Sequence, residues 1–593
     1  MNDSILSWRR IRVALAAAAL AVQAIAPSPT DGAQNQKSAE PSPAVRIAVR
    51  MVLVDAVVTD SAGKVVPGLG VQDFTVLEDG KAQKVSTISF EQPAELARKL
   101  RGQRGNMPAN VTTNRPEYRM PSGAPVIVLL DALNTPVRDQ SRARMEFLKY
   151  LNTQLQPGQQ IAVYTLVRSL RVLQDFTDDP ALLKAAAQSF NPTVSMQLQI
   201  ADLNQRLPRL SGALPDVQRT EKDPSVFISR MQDFYNEQVN VATDERVGIT
   251  LTAFRGIAQA VAGLPGRKNL IWVSGAFPLA TYSRIIQYSA NPNNDPNRVR
   301  IENLYEDKLR ETDSILTDAQ VAVYAVDAHG LVGQLLGGAE NQGVSAAGTL
   351  VGGAEYAQSL QLASGSLQET QATMKQVAGD TGGKFFINQN EMDHSVELSV
   401  QDGASYYSLG YSPEVKADGK FHKIEVKVNR PGTTVRARHG YYAPTSADDA
   451  KATKQRDAEV GMAMQYGSPG ATGVTFDARA VPPAPAARMK VGVDFLVDPS
   501  TISTEDVGSG KKLALEFHVA AYGADRKISG QKDVAIKPTL KPADFGSLRQ
   551  QGLPYHVDLE LPPGSYLLRL GVVDQRSGLV GTADLPMVLK GPS

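Results

Sequence analysis

The chain has 593 residues, a net charge of +1 at pH 7 and no cysteine. This length predicts several domains, at roughly 100–200 residues per domain. The near-zero net charge provides no general attraction to nucleic acid or to an anionic membrane, so we expect neither as a partner. Without cysteine there are no disulfides, thiolate metal ligands or cysteine nucleophiles.

The N-terminus has the pattern of a secretory signal peptide. Arg9 and Arg10 precede an apolar run, residues 13–26, which is shorter than the roughly 20 residues that cross a bilayer. The small residue Ala26 suits a cleavage site. We therefore predict a signal peptide at 1–26, an exported protein in the periplasm or outside the cell, and no transmembrane segment after cleavage. An uncleaved anchor is the alternative.

The next part of the chain predicts a linker, a small domain and a second linker. Residues 27–44 are rich in Pro, Ser, Ala and Gln without apolar periodicity, which is typical of a disordered linker. Residues 45–94 show strand patterns with a tight-hairpin signal at Asp79 and Gly80, which predicts a small β-sandwich. We interpret Asp79 as a turn residue rather than a calcium ligand. Residues 95–123 are polar and are predicted as a linker.

A continuous apolar run at 126–130 ends in Asp131. Such a run is expected of a strand covered on both faces in a parallel sheet, and an acid at its carboxyl end lies where open α/β sheets bind ligands. Strand and helix patterns alternate through 124–444, with polar insertions at 188–244 and 333–365. We therefore predict the α/β class, with a doubly wound, mostly parallel sheet flanked by N- and C-terminal β-sandwich domains.

The pattern also predicts the individual elements of this region. The strands expected in the sheet are 126–130, 161–167, 170–176, 269–273, 321–326 and 384–387. The main helices expected are 138–155, 225–241, 249–264, 303–317 and 367–378. Residues 405–411, 423–428 and 435–442 are expected to form an edge hairpin or meander that completes the same domain.

The last part of the chain predicts a linker and another β domain. Residues 445–487 are rich in Ala, Pro, Gly and Asp, which is typical of a linker. Residues 488–593 contain strand-like runs spaced by turn residues, which predicts a C-terminal β-sandwich. Tyr566 follows a Pro-Pro-Gly-Ser turn and is expected to form a tyrosine corner, a structural role.

Several motifs resemble the von Willebrand factor type A domain and, more narrowly, the VWFA-related proteins of acidobacteria. They are VVTDSAGKVVPGLGVQDFTVLEDGK at 57–81, LLDALNT at 129–135, VLQDFTDD at 172–179, GLPGRKNLIWVSGAFP at 263–278 and YYSLGYSP at 406–413. The resemblance covers about 45–444 and implies a type A domain at 124–444, with the small β-sandwich ahead of it. The C-terminal domain lies outside it.

The resemblance implies a divalent-metal site at the top of the sheet. Type A domains bind Mg²⁺ or Mn²⁺ through an Asp-x-Ser-x-Ser loop, a distant Thr and a distant Asp, and a partner's carboxylate can replace a bound water. The implied ligands in this chain are Asp131, Asn134, Thr135, Thr250 (or Thr252) and Ser274. Leu133 offers no side-chain oxygen and Gly275 replaces the family's acid, so the site is degenerate. A structural Asp131 that caps backbone N–H groups is the alternative.

These observations favour a non-enzymatic, exported protein-binding module whose metal bridges to an acid on a protein partner. The alternative is a metal-free structural or assembly scaffold of the cell envelope. Tyr406, Tyr407 and Tyr411 are a second candidate partner surface, with packing on the sheet as the alternative. The phosphate-loop and Gly-x-Ser-x-Gly patterns are not met. A hydrolase that uses Ser274 or His329 is a third hypothesis.

Overall fold

The structure is a computed structural model, and it describes most of the chain after residue 50. The described residues are 51–101, 107–108, 110–119, 123–156, 158–200, 224–277, 296–329, 368, 370–387, 393–413, 418–443, 449–481, 483 and 485–591. The predicted signal peptide, the linker 27–44 and the insertion 333–365 lie outside them. Within the described part, no helix combines the length and the hydropathy that crossing a membrane requires.

The strands and helices are numbered here in chain order. The strands are β1 Val52–Thr59, β2 Phe74–Glu78, β3 Lys81–Gln83, β4 Val85–Glu91, β5 Val111–Thr113, β6 Val126–Asp131, β7 Ile161–Leu166, β8 Leu170–Thr177, β9 Lys268–Ser274, β10 Val321–Asp327, β11 Lys384–Phe386, β12 Tyr406–Tyr411, β13 Lys420–Val428, β14 Thr434–Ala437, β15 Gly440–Ala443, β16 Phe476–Val481, β17 Met489–Val497, β18 Glu505–Val507, β19 Gly510–Lys512, β20 Leu515–Tyr522, β21 Ile528–Ile536, β22 Thr539–Leu540, β23 Leu553–Leu561, β24 Gly564–Asp574 and β25 Val580–Leu589. The helices are α1 Pro93–Arg101, α2 Pro116–Arg119, α3 Val137–Thr153, α4 Pro180–Ser189, α5 Pro224–Val261, α6 Pro296–Asp318, α7 at 370–380, α8 Asp393–Ala404, α9 Asp449–Ala463 and α10 Pro542–Gln551.

The chain forms two compact units. The central unit comprises Leu53–Gly105 and Arg115–Gly473. The C-terminal unit comprises Asn106–Asn114 and Val474–Ser593, together with Met1–Val52, which lies almost entirely outside the described residues. Both units are therefore built from segments that are discontinuous in sequence.

The central unit contains a six-stranded sheet in the order β11-β10-β9-β6-β7-β8. Its strands pair in parallel except β8, which runs antiparallel to β7 at one edge. Every residue of β6, β7, β9 and β10 is buried, because apolar side chains pack on both faces of the sheet. The carboxyl ends of β6 and β9 lie side by side in the middle of this sheet.

The predicted fold class is wrong. Among the pairings of described strands whose register is defined, the parallel ones all lie in this sheet, and those of the other sheets, four with four strands and one with three, are antiparallel. The chain is thus dominated by antiparallel β-sheets rather than by a doubly wound α/β domain. The apolar runs identified buried strands correctly, but they carry no information about which strands pair.

The region 45–94 does not form a sandwich by itself. Two four-stranded sheets, β14-β1-β12-β4 and β15-β13-β2-β3, combine the N-terminal strands with strands from 406–443. Glu91 pairs with Tyr406, and Glu78 pairs with Ile424. The segment expected to form an edge meander of the parallel sheet therefore completes the N-terminal sheets instead.

Two further elements differ from their predicted form. Helix α5 is one continuous helix of 38 residues, where the sequence predicted separate helices at 225–241 and 249–264. Gly248 lies inside it, and a helix-interior glycine costs only about 1 kcal/mol relative to alanine, so packing along the helix outweighs it. Two of the predicted linkers contain ordered elements as well: 95–123 includes β5, α2 and most of α1, and 445–487 includes α9 and β16.

The C-terminal unit is a β-sandwich with one shared core. Its sheets are β23-β17-β16-β5 and β21-β20-β24-β25, with a three-stranded sheet β18-β19-β22 beside them. Alternate residues of β17 and β20 meet in the core, which includes Phe495 and Phe517 at a ring-centroid distance of 5.3 Å. The hydroxyl of Tyr566 donates a hydrogen bond to the carbonyl of Pro562 at 3.0 Å, in agreement with the predicted tyrosine corner.

Candidate functional site

The predicted site residues come together at the carboxyl ends of β6 and β9. Asp131 is the last residue of β6 and Ser274 the last of β9, and these adjacent strands run parallel, so their ends meet. The loop after β6 supplies Asn134 and Thr135, and α5 supplies Thr250. All five side chains are buried.

Asp131 is enclosed by hydrogen-bond donors of the protein. Its Oδ1 accepts the backbone N–H of Asn134 at 3.0 Å, and its Oδ2 accepts from Asn134 Nδ2 at 2.9 Å, Trp272 Nε1 at 3.1 Å and Ser274 Oγ at 2.8 Å. Burial raises the pKa of Asp131, while the hydrogen bonds from Asn134, Ser274 and Trp272 oppose that rise. The carboxyl group is therefore held entirely by the protein.

Asn134 connects this acid to helix α5. Its Nδ2 also donates to Thr250 Oγ1 at 2.8 Å, and its Oδ1 accepts from Arg246 Nε at 3.0 Å. The orientation of the amide is fixed by these partners, because the oxygen faces a guanidinium and the nitrogen faces a carboxylate. Arg246 is only 1% exposed, so it places a positive charge inside the network.

Thr135 and Gly275 close the other side of the site. Thr135 Oγ1 accepts the backbone N–H of Gly275 at 2.9 Å. A Cβ at Gly275 would lie 3.1 Å from Pro136 Cδ and 3.3 Å from the carbonyl oxygen of Asn134. The acid that type A domains place at this position therefore does not fit without movement of the loop.

The arrangement does not suit Mg²⁺ or Mn²⁺. These ions require several oxygen ligands with free lone pairs. Here N–H and O–H donors approach the Asp131 carboxylate, and Thr250 Oγ1 donates its own proton to the carbonyl of Arg246 at 2.8 Å. The positive charge next to this network comes from Arg246 instead.

Arg246 and Trp272 belong to the site, although sequence reasoning did not identify them. Arg246 precedes Thr250 by four residues on α5, so the two share one helix face, and this spacing is a signal that could have been used. Trp272 is two residues before Ser274 on β9 and therefore points to the same face of the sheet. The alternative Thr252 donates instead to Gly248 on an exposed part of the helix.

The three tyrosines proposed as a partner surface are buried. Tyr406 is 0%, Tyr407 1% and Tyr411 0% exposed. Each hydroxyl has an internal partner: Tyr406 accepts from the Arg267 backbone, Tyr407 donates to the carbonyl of Val66, and Tyr411 donates to the Glu78 carboxylate. These positions do not fit a partner-binding role, and the packing alternative accounts for the residues.

His329 lies at the end of the next strand, β10. Its Nδ1 is 2.7 Å from Asp327 Oδ1, and Gln371 donates to the other oxygen of Asp327 at 2.9 Å. Burial works to lower the pKa of His329, but the hydrogen bond to Asp327 and the nearby carboxylates raise it overall. Ser274 is hydrogen-bonded to Asp131 and the Ala276 carbonyl, so the described geometry contains no Ser–His pair here.

Comparison with known proteins gives no family. No family model matches the sequence, and no curated protein matches it. Two solved structures of a glycosyl hydrolase family 2 member from Bacteroides cellulosilyticus are similar over 32% of this chain, at 10% and 12% identity, with a TM-score of 0.15 in both cases. The matched part is 20% and 21% of those chains, about a fifth of their length. A TM-score this low supports no conclusion about fold or activity.

Proposed function

We propose that this chain is a non-enzymatic scaffold protein of the cell envelope that works without a metal at the end of its parallel sheet. Its sequence resemblance to VWFA-related proteins supports a role in protein–protein assembly. The observation that carries the metal-free form is the Asp131 carboxylate, which accepts four hydrogen bonds from the protein. The cluster is then a structural joint between β6, β9 and α5.

The energetics favour this role over a metal bridge. A cation at Asp131 would have to displace buried N–H donors, and each donor left without an acceptor costs about 1–3 kcal/mol. The cation would also lie near the buried guanidinium of Arg246, which is bonded to Asn134, the neighbour of Asp131. Two positive charges so close together repel each other. A metal-bridged binding module would instead leave the Asp131 carboxylate free of protein donors, so that it could bind an ion.

Thermal unfolding of the full mature chain tests this proposal. We expect Mg²⁺ and Mn²⁺ to leave the melting temperature unchanged, both in the wild type and in Asp131→Asn. If the site bound the ion, an ion concentration of about 100 times the dissociation constant would add about 2.7 kcal/mol to the free energy of unfolding. A change of that size is easily measured. A Mg²⁺- or Mn²⁺-dependent shift that is lost in Asp131→Asn would favour the metal-bridged module instead.

Location is a separate part of the proposal. The signal pattern at 1–26 supports export, and the mature chain is expected to begin after Ala26. N-terminal sequencing of the protein from periplasmic and extracellular fractions tests this. Recovery of the intact N-terminus in a membrane fraction would favour an uncleaved anchor.

A further inference from the structure

A second group of metal-binding residue types lies at the hairpin between β2 and β3. Glu78, Asp79 and His422 each present a ligand atom, and these atoms all lie within 4.8 Å of one another. Asp418 lies against the same imidazole, with its Oδ1 3.1 Å from His422 Nε2. The cluster is far in sequence from Asp131 and shares no residue with the site described above.

The local fold fixes this cluster. Asp79 and Gly80 have φ values of 49° and 81°, the left-handed conformation of a two-residue hairpin turn. The turn is tied to β13, because Asp79 N–H donates to the carbonyl of Lys423 and Lys423 N–H donates to Asp79 Oδ1, both at 2.9 Å. The Asp79 carboxylate is therefore held beside His422, where Nδ1 lies 2.8 Å from Asp79 Oδ2.

Neighbouring tyrosines hold Glu78 and His422 in place. Tyr411 donates to Glu78 Oε2 at 2.7 Å and Tyr441 donates to Glu78 Oε1 at 3.2 Å, which orients this buried carboxylate. The His422 ring stacks on Tyr441 with centroids 5.4 Å apart. Hydrogen bonds of this kind to ligand residues are typical of metal sites in proteins.

The protein balances the negative charge of the cluster at most in part, since His422 is its one cationic group. Three carboxylates surround one imidazole, and in the described part of the chain no lysine or arginine forms an ion pair with Glu78, Asp79 or Asp418. Glu78 is 2% exposed and is approached by neutral phenols. Buried carboxylates with this excess of negative charge are the environment that a divalent cation stabilises.

A similar cluster in the C-terminal unit shows the contrast. His556 also lies between two carboxylates, with its ring nitrogens 2.7 Å from Asp494 and 2.9 Å from Asp558. There, Asp494 also pairs with Arg479 and Asp558 with Lys490, each at 2.8 Å. That cluster is neutralised by the protein and has no buried third carboxylate, so it serves as a matched control.

We propose that Glu78, Asp79 and His422 form a binding site for a divalent transition-metal ion of the zinc type, while Asp418 bonds to the ring nitrogen of His422 that faces away from Asp79 and orients the imidazole. Imidazole nitrogen with carboxylate oxygen is a donor set that Zn²⁺ accepts, whereas Mg²⁺ and Ca²⁺ prefer oxygen alone. Asp79 and Asp418 are partly exposed, so an ion can enter from solvent on that side. Bound there, the ion joins the β2–β3 turn to β13.

Zinc titration by calorimetry tests the site, with the full mature chain purified without a histidine tag and stripped of metal. We expect one Zn²⁺ per chain. Asp79→Asn and His422→Gln should each weaken binding at least about tenfold, since even residues that support metal ligands contribute about 10–100-fold. His556→Gln and Asp131→Asn should bind zinc as the wild type does. Because Asp131→Asn alters only the site at the end of the parallel sheet, zinc binding by this variant shows that the result does not depend on the proposed function.

Asp79→Asn keeps the result interpretable. Asparagine tolerates a positive φ and can still accept the Lys423 N–H, so this variant should fold and melt like the metal-free wild type. Zinc binding with wild-type affinity by both Asp79→Asn and His422→Gln would overturn the proposal. So would binding of Ca²⁺ or Mg²⁺ without Zn²⁺, or the absence of zinc binding by the wild type.

Discussion

Asp131 is a structural acceptor, and its removal should be costly. In Asp131→Ala the indole N–H of Trp272 and the backbone N–H of Asn134 lose their acceptor in a buried place. We expect a loss of about 3 kcal/mol in the free energy of unfolding, since each such group costs about 1–3 kcal/mol. Urea unfolding measures it. Unchanged stability would show that the network does not hold the strand ends together.

Gly275 tests whether the acid that the resemblance to type A domains implies can be introduced at this position. Gly275→Asp should gain no Mg²⁺ binding and should lose about 1–3 kcal/mol, because its Cβ would press against Pro136 and Asn134. Gly248→Asp is the control, since a Cβ there meets nothing within 4 Å. Calorimetry with Mg²⁺ and urea unfolding of both variants give the answer. Magnesium binding by Gly275→Asp would contradict the structural role assigned to this loop.

Lys268 gives a prediction about pH. The side chain is 1% exposed, its Nζ donates to the Leu264 carbonyl at 2.7 Å, and burial lowers the pKa of Lys268 to about 7. Between pH 7 and about 10 the unfolded chain therefore binds more protons at this residue than the folded chain does, so its contribution to stability rises with pH across that window.

Lys268→Met should remove this rise. We expect the variant to have a flatter dependence of the free energy of unfolding on pH, and the wild type to gain stability relative to it from pH 7 to 9.5. Urea unfolding at several pH values makes the comparison. Parallel curves for the two proteins would mean that Lys268 titrates as an exposed lysine does.

At the residue scale the sequence could predict proximity but not chemistry. Asp131, Asn134, Thr250 and Ser274 do meet at one place, as the order of motifs implied. Whether an oxygen faces a cation or a neighbouring N–H depends on rotamers and on residues outside the motif. Arg246 is such a residue, and its charge changes what the site can bind.

At the scale of elements, the N-terminal strands depend on a distant segment. A fragment covering 45–94 should remain unfolded, because the partners of β2 and β4 are β13 and β12. Isolated hairpins are marginally stable at best in water. Far-UV circular dichroism measures this, with the full chain as the control. A cooperative unfolding transition of the fragment would contradict the pairing.

Elements with strong internal patterns were the predictable ones. The buried strands β6, β9 and β10 are visible as continuous apolar runs, and α3 is visible from helical spacing. The partners of β1 to β4 were not predictable, since an alternating strand can pair with any other strand of matching length. The predicted fold class failed at this step.

At the scale of the molecule, β5 belongs to the C-terminal unit and is held there by Asn114. Asn114 Nδ2 donates to the Val474 carbonyl and its Oδ1 accepts the Phe476 N–H, both at 2.8 Å. Asn114→Ala should lower the stability of that unit by about 2 kcal/mol. Differential scanning calorimetry should show an earlier transition for the C-terminal unit alone. A shift of every transition would mean that the chain unfolds as one cooperative body.

The sheets that join the N-terminal strands to 406–443 also limit when those strands can fold during synthesis. Tyr407 bonds to the Val66 carbonyl across 341 positions of sequence. At about 5–20 residues per second, a ribosome needs roughly 20–70 s to make the chain between them. During that time β1 to β4 have open edges and uncovered apolar faces, which are prone to pairing with other chains. Strands β1 to β4 can thus complete their sheets only after β12 and β13 have been synthesised.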